Sequence, residues 1–393
     1  MSKLDDLMKS LCPNGVEYKK VKDVYQRLKG TPITAGKMQE ISHPNGDIRI
    51  FAGGKTVVNA NRKDIPQANV ITVPSLLVQS RGLIDFIYCD TPFTFKNEMW
   101  AYTAENPISV KFLYYLLKQQ VERFRNMASE KGSLPQISLS ATEEFKIPVP
   151  PMAVQSEIVR ILDNFTELTA ELTAELTARQ KQYEYYRETL LKFDGNVKKI
   201  KLSELFDTKN GYTPSKNNAT FWDNGTIPWF RMEDIRENGR ILSDSIQHIT
   251  KEALKGSVFK KDSIIISTSA TIGEYALLKC ESVSNQRFTY LMLKEKHKQQ
   301  FDIMFLFYYC RKLSEFCKNH LNKGNFASVD MSSFNNFEFP VPPLEEQKRI
   351  VKILDRFDTL CSDISQGLPA EIEARQKQYE YYRDKLLNFH EAV

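Results

Sequence analysis

The chain has six cysteines, and no two of them form a Cys-x-x-Cys pair. Cys12, Cys89, Cys280, Cys310, Cys317 and Cys361 are scattered, as are the five histidines. A zinc site needs paired ligands at short spacing, so no metal set is expected and the thiols read as buried and reduced. Long apolar runs are missing too. No stretch reaches the ~20 residues of a membrane span. Met1 to Ser10 mixes charges where a secretory leader has an apolar segment. A cytoplasmic protein without a membrane partner is expected. Charge of one sign is also lacking: 54 basic residues against 49 acidic leave a net +5. That balance permits a nucleic-acid partner without arguing for one, and any basic surface must be local.

Catalytic motifs are absent as well. Phe51 to Thr56 ends like a phosphate-binding loop, but Arg49 stands where its first glycine belongs. Gly30 to Lys37 has the wrong spacing, and Met38 follows it. The adenine-methylating Asn-Pro-Pro-aromatic motif is missing, since Val149-Pro150-Pro151-Met152 and Val341-Pro342-Pro343-Leu344 lack both Asn and aromatic. No G-x-S-x-G or H-E-x-x-H occurs. A non-catalytic chain without a cofactor of its own is expected; a stand-alone enzyme would need a dispersed site.

What the chain does have is itself, twice. Arg179-Gln180-Lys181-Gln182-Tyr183-Glu184-Tyr185-Tyr186-Arg187 returns unchanged at Arg375 to Arg383. Ile147 to Pro151 returns as Phe339 to Pro343, and Ile158 to Asp163 as Ile350 to Asp355. Val21 to Val24 with Gly30-Thr31-Pro32 resembles Leu202 to Leu205 with Gly211-Tyr212-Thr213-Pro214. Ser75 to Val78 resembles Ser263 to Ile266, and Phe112 to Tyr115 resembles Phe305 to Tyr308. At 393 residues there is room for two or three domains. The repeat divides the chain into a globular segment 1–147, a helical segment 148–195, a globular segment 196–339 and a helical segment 340–393. The globular segments mix short apolar runs (Val70 to Val73, Leu76 to Val78, Ile264 to Ile266) with aromatic-rich helical stretches at Lys111 to Phe124 and Phe301 to Phe316. No regular strand–helix alternation appears, so the class is a mixed α/β (α+β) fold with an internal pseudo-two-fold repeat.

The helical segments are clearer. From Ile158, steps of four and three reach Leu162, Phe165, Thr169, Leu172, Leu176, Arg179, Tyr183, Tyr186 and Leu190, with no Gly or Pro inside. One helix from Ala153 to Phe193 would be about 60 Å long at ~1.5 Å per residue. The second copy runs from Ile350 to Leu386 but stutters at Leu368 to Ile372, where Gly367 and Pro369 predict a kink or break. Two such helices most simply pack antiparallel, each covering the other's seam; two independent dimerisation coils are the alternative. Thr169-Ala170-Glu171-Leu172 repeats at once as Thr173 to Leu176. Those residue types are good helix filler. They could equally be a ruler, each unit adding about 6 Å and turning the far end by about 40°.

The signature P-x-P-P-x-x-x-Q-x-x-I-V-x-x-L-D fits Pro148 to Asp163 with Gln155 in place, and Pro340 to Asp355 with Gln347 in place. With the Arg-Gln-Lys-Gln-Tyr-Glu-Tyr-Tyr-Arg copies and the opening Leu11 to Tyr18, the chain resembles the specificity subunit of type I restriction-modification systems over essentially its whole length. The interruption at Gly367 and Pro369 is a departure. The resemblance implies two target recognition domains, each reading half of a bipartite sequence in double-stranded DNA. It implies helices that set the unread gap and dock two modification (methyltransferase) subunits. Those partners would hold S-adenosylmethionine and methylate adenine, while two restriction (translocase and nuclease) subunits would use ATP and Mg2+. The rival reading is a duplicated coiled-coil scaffold without DNA specificity.

Phosphate contacts should come from Lys and Arg, and specificity from base edges. Candidates in the first globular segment are Arg49, Lys55, Arg62, Lys63, Gln79 and Arg81, the last before Gly82 in an expected turn. In the second they are Arg231, Arg236, Ser269, Thr271, Gln286 and Arg287. Lys131 and Ser133 flank Gly132, and Lys323 and Asn325 flank Gly324, as further backbone contacts. Each alone also fits a solvated surface group. On the helices, Tyr183, Tyr186, Tyr379 and Tyr382 lie on the seam. Gln182, Tyr185, Gln378 and Tyr381 lie off it and are the candidates for partner contact.

Overall fold

The computed structural model describes residues 3–129, 134–322, 327–362 and 367–392. The chain forms two compact units, one of Met1–Glu175 with Pro369–Val393 and one of Leu176–Leu368. The two repeat the same topology. In the first, an antiparallel sheet runs in the order Gln26–Leu28, Trp100–Thr103, Ser75–Gln79, Asp85–Cys89. In the second the order is Phe206–Asn210, Phe288–Leu293, Ser263–Ser267, Tyr275–Leu278, all antiparallel. There Ile241–Leu242 adds a fifth strand, parallel to its neighbour. Ser75–Gln79 and Ser263–Ser267 are buried along their whole length. Leu76-Leu77-Val78 and Ile264-Ile265-Ile266 are continuous apolar runs because both faces of these strands are covered.

A smaller sheet repeats as well. Ile48–Phe51 lies between antiparallel Val57–Ala60 and parallel Phe93–Phe95. Ile227–Phe230 lies between antiparallel His248–Ile249 and parallel Val283–Ser284. Val70 to Val73, read from sequence as a strand-like run, contributes only a single bridge from Ile71 to Phe93. Pro74 withholds a donor and restricts the residue before it, so the ladder begins afresh at Ser75.

The shared signatures lock each globular part to a helix. Gln155 is 4% exposed and Gln347 fully buried. Their Nε2 groups donate to the carbonyls of Pro150 (2.8 Å) and Pro342 (2.9 Å), just ahead of the helices. The Asp of each Leu-Asp pair accepts from a tyrosine on the helix that packs against the sheet. Tyr115 donates to Asp163 at 2.5 Å and Tyr308 to Asp355 at 2.6 Å. Those helices are Pro107–Gln119 and Ile303–Asn319; they overlap the expected stretches, but Lys111 to Phe124 is interrupted at Gln120 and continues in the separate helix Val121–Asn126.

Met152–Leu190 is one helix of 39 residues, about 60 Å at ~1.5 Å per residue. Its threonines are tolerated because their hydroxyls return to the preceding turn: Thr166, Thr169 and Thr173 donate to carbonyls four residues back at 3.0, 2.8 and 2.7 Å. The second helical copy is broken. Leu344–Ser362 and Leu368–Leu386 are separate helices, Gly367 forms a bend between them, and Ile364 lies outside the described residues. Pro369 sits in the first turn of the second piece, where its missing N–H costs nothing.

In the first unit Phe165 stacks on Tyr382 with ring centroids 5.5 Å apart. In the second, Tyr183 and Tyr186 both stack on Phe357, at 5.9 and 5.3 Å. Tyr183 is buried at 8% exposure, whereas Tyr186 and Tyr382 are about a third exposed beside their stacking partners. In the first unit Val16 pairs with Glu391, and Phe389 packs edge-on against Phe112 at 6.3 Å. Phe193 takes the same place against Phe305 in the second unit, at 6.0 Å.

Candidate nucleic-acid interface

In each unit three strand ends meet at one end of the larger sheet. In the first, the chain leaves Gln26–Leu28 and Ser75–Gln79 there and enters Trp100–Thr103. In the second it leaves Phe206–Asn210 and Ser263–Ser267 and enters Phe288–Leu293. A glycine makes each convergence possible. A Cβ on Gly30 would lie 2.3 Å from the Phe95 carbonyl, and one on Gly211 would lie 2.4 Å from the Ser284 carbonyl. The next residue then docks: Thr31 and Tyr212 donate N–H to those same carbonyls, both at 2.7 Å. The matched placing of the glycine, nine residues after Val21 and nine after Leu202, therefore marks a matched backbone crossing.

In the first unit this end gathers Lys55, Gln79 and Arg81. The Gly54 N–H donates to the Arg81 carbonyl at 3.0 Å, and the Gly54 carbonyl accepts from Gln79 Nε2 at 2.9 Å. Lys55 and Arg81 are exposed, and Gly82 follows with φ +79°. Gln79 departs from the expectation for a base reader: it is 4% exposed and its amide holds the Gly53–Gly54 turn. Arg49 is exposed on Ile48–Phe51, its guanidinium 5.1 Å from the Phe51 ring. Arg62 and Lys63 are exposed but lie at the other end of the hairpin from Lys55, where the Arg62 N–H donates to Asp47 at 2.9 Å.

In the second unit the candidates come closer together. Thr268 N–H donates to the Arg287 carbonyl at 3.0 Å, and Asn285 N–H to the Phe230 carbonyl at 3.0 Å, which brings Arg231 beside the Asn285–Arg287 turn. Arg231 is fixed from below: buried Asp234 accepts from its N–H and from Ile246 N–H, both at 2.6 Å. Arg231 lies 5.8 Å from the Trp229 ring. Gln286 and Arg287 are exposed; Ser269 and Thr271 are half-buried in a turn with Ala270 at φ +62°. A cavity of about 460 Å³ joins Arg236 to Ala270 and Thr271. Lys131, Ser133, Lys323 and Asn325 lie outside the described residues.

Sequence reasoning missed the strand end at Asn210. Thr213 donates to Gln286 Oε1 at 2.5 Å. Lys255 lies 5.4 Å from the Tyr212 ring, and the Tyr212 hydroxyl accepts from Lys255 N–H at 2.8 Å. Lys209, Lys216 and Lys255 are exposed on the same unit. The repeated glycine could have directed attention to Tyr212 and Thr213; nothing local marks Lys255.

The helix candidates are arranged alike in both units. Tyr185 and Tyr381 are 66% and 63% exposed, the largest values among the exposed large apolar side chains. Each leans edge-on against its neighbour, Tyr186 or Tyr382, at 5.7 and 5.4 Å. Gln182 and Gln378 are half-buried and accept from Arg179 and Arg375 at 3.0 and 3.1 Å. The described residues contain no cluster of His, Cys, Asp and Glu fit for a metal, and no helix long and apolar enough to cross a membrane.

Two like units, each with a loop-bearing sheet end and the same tyrosine pair on a helix, define a protein with duplicated recognition surfaces. Residues 13–179 and 195–374 each match the DNA specificity domain of type I restriction-modification systems. The chain belongs to the type I restriction-modification specificity subunits. It is 36% identical over 388 residues to the Escherichia coli EcoR124I/EcoR124II specificity subunit, covering 94% of this chain and 89% of that one. It is 51% identical over 215 residues to the Escherichia coli EcoprrI specificity subunit; that match covers 52% of this chain and about half (53%) of the relative. The crystal structure of a type I S subunit from M. genitalium shares the fold, with TM-score 0.60 at 17% identity, 95% of this chain covered and 96% of that one. Membership of this family sets aside the scaffold without DNA specificity.

Proposed function

We propose that each unit reads one half of a bipartite target in double-stranded DNA through the loops at the end of its larger sheet. The carrying observation is a contrast. Four strands of the larger sheet and three of the smaller repeat in both units, while the loops at the strand ends bear different groups: Lys55 and Arg81 in one unit, Arg231, Gln286 and Arg287 in the other. Different readers on one frame suit an asymmetric target. Arginine beside a turn suits a guanine edge in the major groove, and the surrounding lysines suit phosphates. Arg49, Arg62 and Lys63 then serve the flanking backbone, and Ser269, Thr271 and Arg236 the second half-site.

The helices set the gap between half-sites. Their repeated faces, Gln182 with Tyr185 and Gln378 with Tyr381, dock two methyltransferase subunits. Those partners bring S-adenosylmethionine and methylate one adenine per half-site after flipping it from the stack. Two restriction subunits bring ATP and Mg2+. This chain, working in the cytoplasm, supplies recognition and assembly and no catalysis. The docking claim is tested by titrating the modification subunit onto the chain. Y185A should weaken binding of one copy and the Y185A/Y381A pair should weaken both by tenfold or more. Undiminished binding by the double variant would refute it.

A further inference from the structure

In the first unit Arg81 is bridged antiparallel to Gln136, and Gln136 in turn to Ser129. The two pairings differ in kind. Around Arg81 and Gln136 the bonds run between their neighbours: Gly82 N–H donates to the Pro135 carbonyl at 2.8 Å, and Ile137 N–H to the Ser80 carbonyl at 2.9 Å. In a pair of that kind the Cα atoms stand about 4.5 Å apart and the side chains lie closest. Gln136 and Ser129 instead exchange both main-chain bonds, at 3.2 and 2.9 Å. The main chain of Gln136 is thereby used up, and its side chain leaves on the same face as that of Arg81.

The pair is held firmly. Ser80 is 2% exposed, and its hydroxyl donates to the Glu98 carbonyl at 2.5 Å. Gly54 N–H holds the Arg81 carbonyl from the other side at 3.0 Å. Arg81 is exposed and Gln136 half-buried, and neither side chain has a hydrogen-bond or ion-pair partner among the described residues. The Glu98 carboxylate is already matched to Lys96 at 3.0 Å. In the second unit the same docking recurs: Ser269 is bridged to Ser328, and Val329 N–H donates to the Thr268 carbonyl at 2.9 Å. There the paired side chains are short hydroxyls, and that of Ser328 accepts from Asn322 Nδ2 at 3.2 Å.

An arginine and a glutamine held side by side match two different base edges. A guanidinium makes two bonds to O6 and N7 of guanine, and a carboxamide makes two to N6 and N7 of adenine. Facing side chains lie about 4.5–5.5 Å apart at Cβ, against ~3.4 Å between successive base pairs, so the pair spans neighbouring base pairs. We propose that Gln136 is a base-reading residue, and that with Arg81 it selects a G·C pair and the adjacent A·T pair in the half-site of the first unit. This assignment rests on the sheet-end loops being the DNA readers, and adds which bases one of them selects.

The test uses the chain assembled with its methyltransferase partner. Mapping methylated adenines in cells gives the parent target, which should hold a G·C pair beside an A·T pair in one half-site. Fluorescence anisotropy then gives Kd on duplexes of that target and of each single-pair replacement in that half. In Q136A the penalty for replacing the A·T pair should shrink about tenfold or more, while the penalty for the G·C pair is kept; R81A should do the reverse. Q136E accepts but does not donate, and should turn the preference at the A·T position toward C·G. A residue that only supported its loop would weaken every duplex alike and leave these ratios unchanged. R231A, in the second unit, should alter discrimination in the other half alone. Unchanged ratios in both Q136A and Q136E would overturn the assignment, with the sheet-end readers still standing if R81A or R231A relaxes its half. A target with no G·C pair next to an A·T pair in either half would overturn it as well. If R81A, Q136A and R231A all leave discrimination intact, the sheet-end readers fall together with it.

Discussion

Replacing Gln347 by leucine should cost the second unit about 3–5 kcal/mol, although the side-chain volume hardly changes. Gln347 is fully buried. It donates Nε2 to the carbonyls of Pro342 and Gln300, both at 2.9 Å, and accepts the Asp302 N–H at 2.9 Å. It thus ties the start of Leu344–Ser362 to the start of Ile303–Asn319, whose cap is Asp302. Leucine leaves three groups without a partner, each costing about 1 kcal/mol where water can reach it and up to about 3 kcal/mol where it stays buried, and partial relaxation keeps the total toward the lower end. Gln155 makes two bonds, to the Pro150 carbonyl at 2.8 Å and from Ser109 Oγ at 3.0 Å. The serine hydroxyl can turn elsewhere, so Q155L should cost about 2 kcal/mol. Urea unfolding gives the two losses, and amide exchange followed by peptide assigns each to its unit. Q347L should unprotect residues near 300–306 and 342–350 and leave the first unit alone. A loss for Q347L below ~1 kcal/mol, or a larger loss for Q155L, would refute this view of the signature glutamine as a lock between helix and globular part.

G211A should destabilise the second unit by about 1–3 kcal/mol or more, because the new Cβ would meet the Ser284 and Asn285 carbonyls at 2.4 Å; differential scanning calorimetry showing an unchanged transition would contradict the crossing. Glu157, 4% exposed, accepts from Arg160 and from Lys3, which hold its carboxyl down at about 2. A lowered folded pKa gives stability that is present above the unfolded value and lost as pH falls through the folded one. The parent chain should therefore lose more stability than E157Q between about pH 5 and pH 2, read as urea midpoints; parallel losses would show that the pair contributes nothing.

Much of this was legible because the repeat was written in local pattern. The identical nonapeptide, the Gly30 and Gly211 spacing and the proline-led signatures each mark a short-range constraint: a helix face, a backbone crossing, a capped helix start. Gly367 and Pro369 announced the break in the second helix for the same reason. What stayed hidden is long-range. Only the fold brings Asn285 to Phe230, and with it Arg231 to the Asn285–Arg287 turn at the strand ends. Gln79 looked like an exposed polar reader because nothing in Ser75–Gln79 says that its last side chain turns inward to Gly54. Ile241–Leu242 is too short to announce itself, yet its pairing with Tyr275–Leu278 makes the second unit unlike the first.

The central claim is that two different readers are set at a fixed separation by the helices. It is tested most directly by mapping methylated adenines in DNA from cells that express this chain with its methyltransferase partner, with and without one Thr-Ala-Glu-Leu unit inserted after Leu176. One unit adds about 6 Å to the helix, or one to two base pairs at ~3.4 Å each. The account predicts a split motif whose two halves keep their sequence while the gap between them widens by that amount. An unchanged gap, or no split motif dependent on this chain when the assembled partner is active, would contradict it.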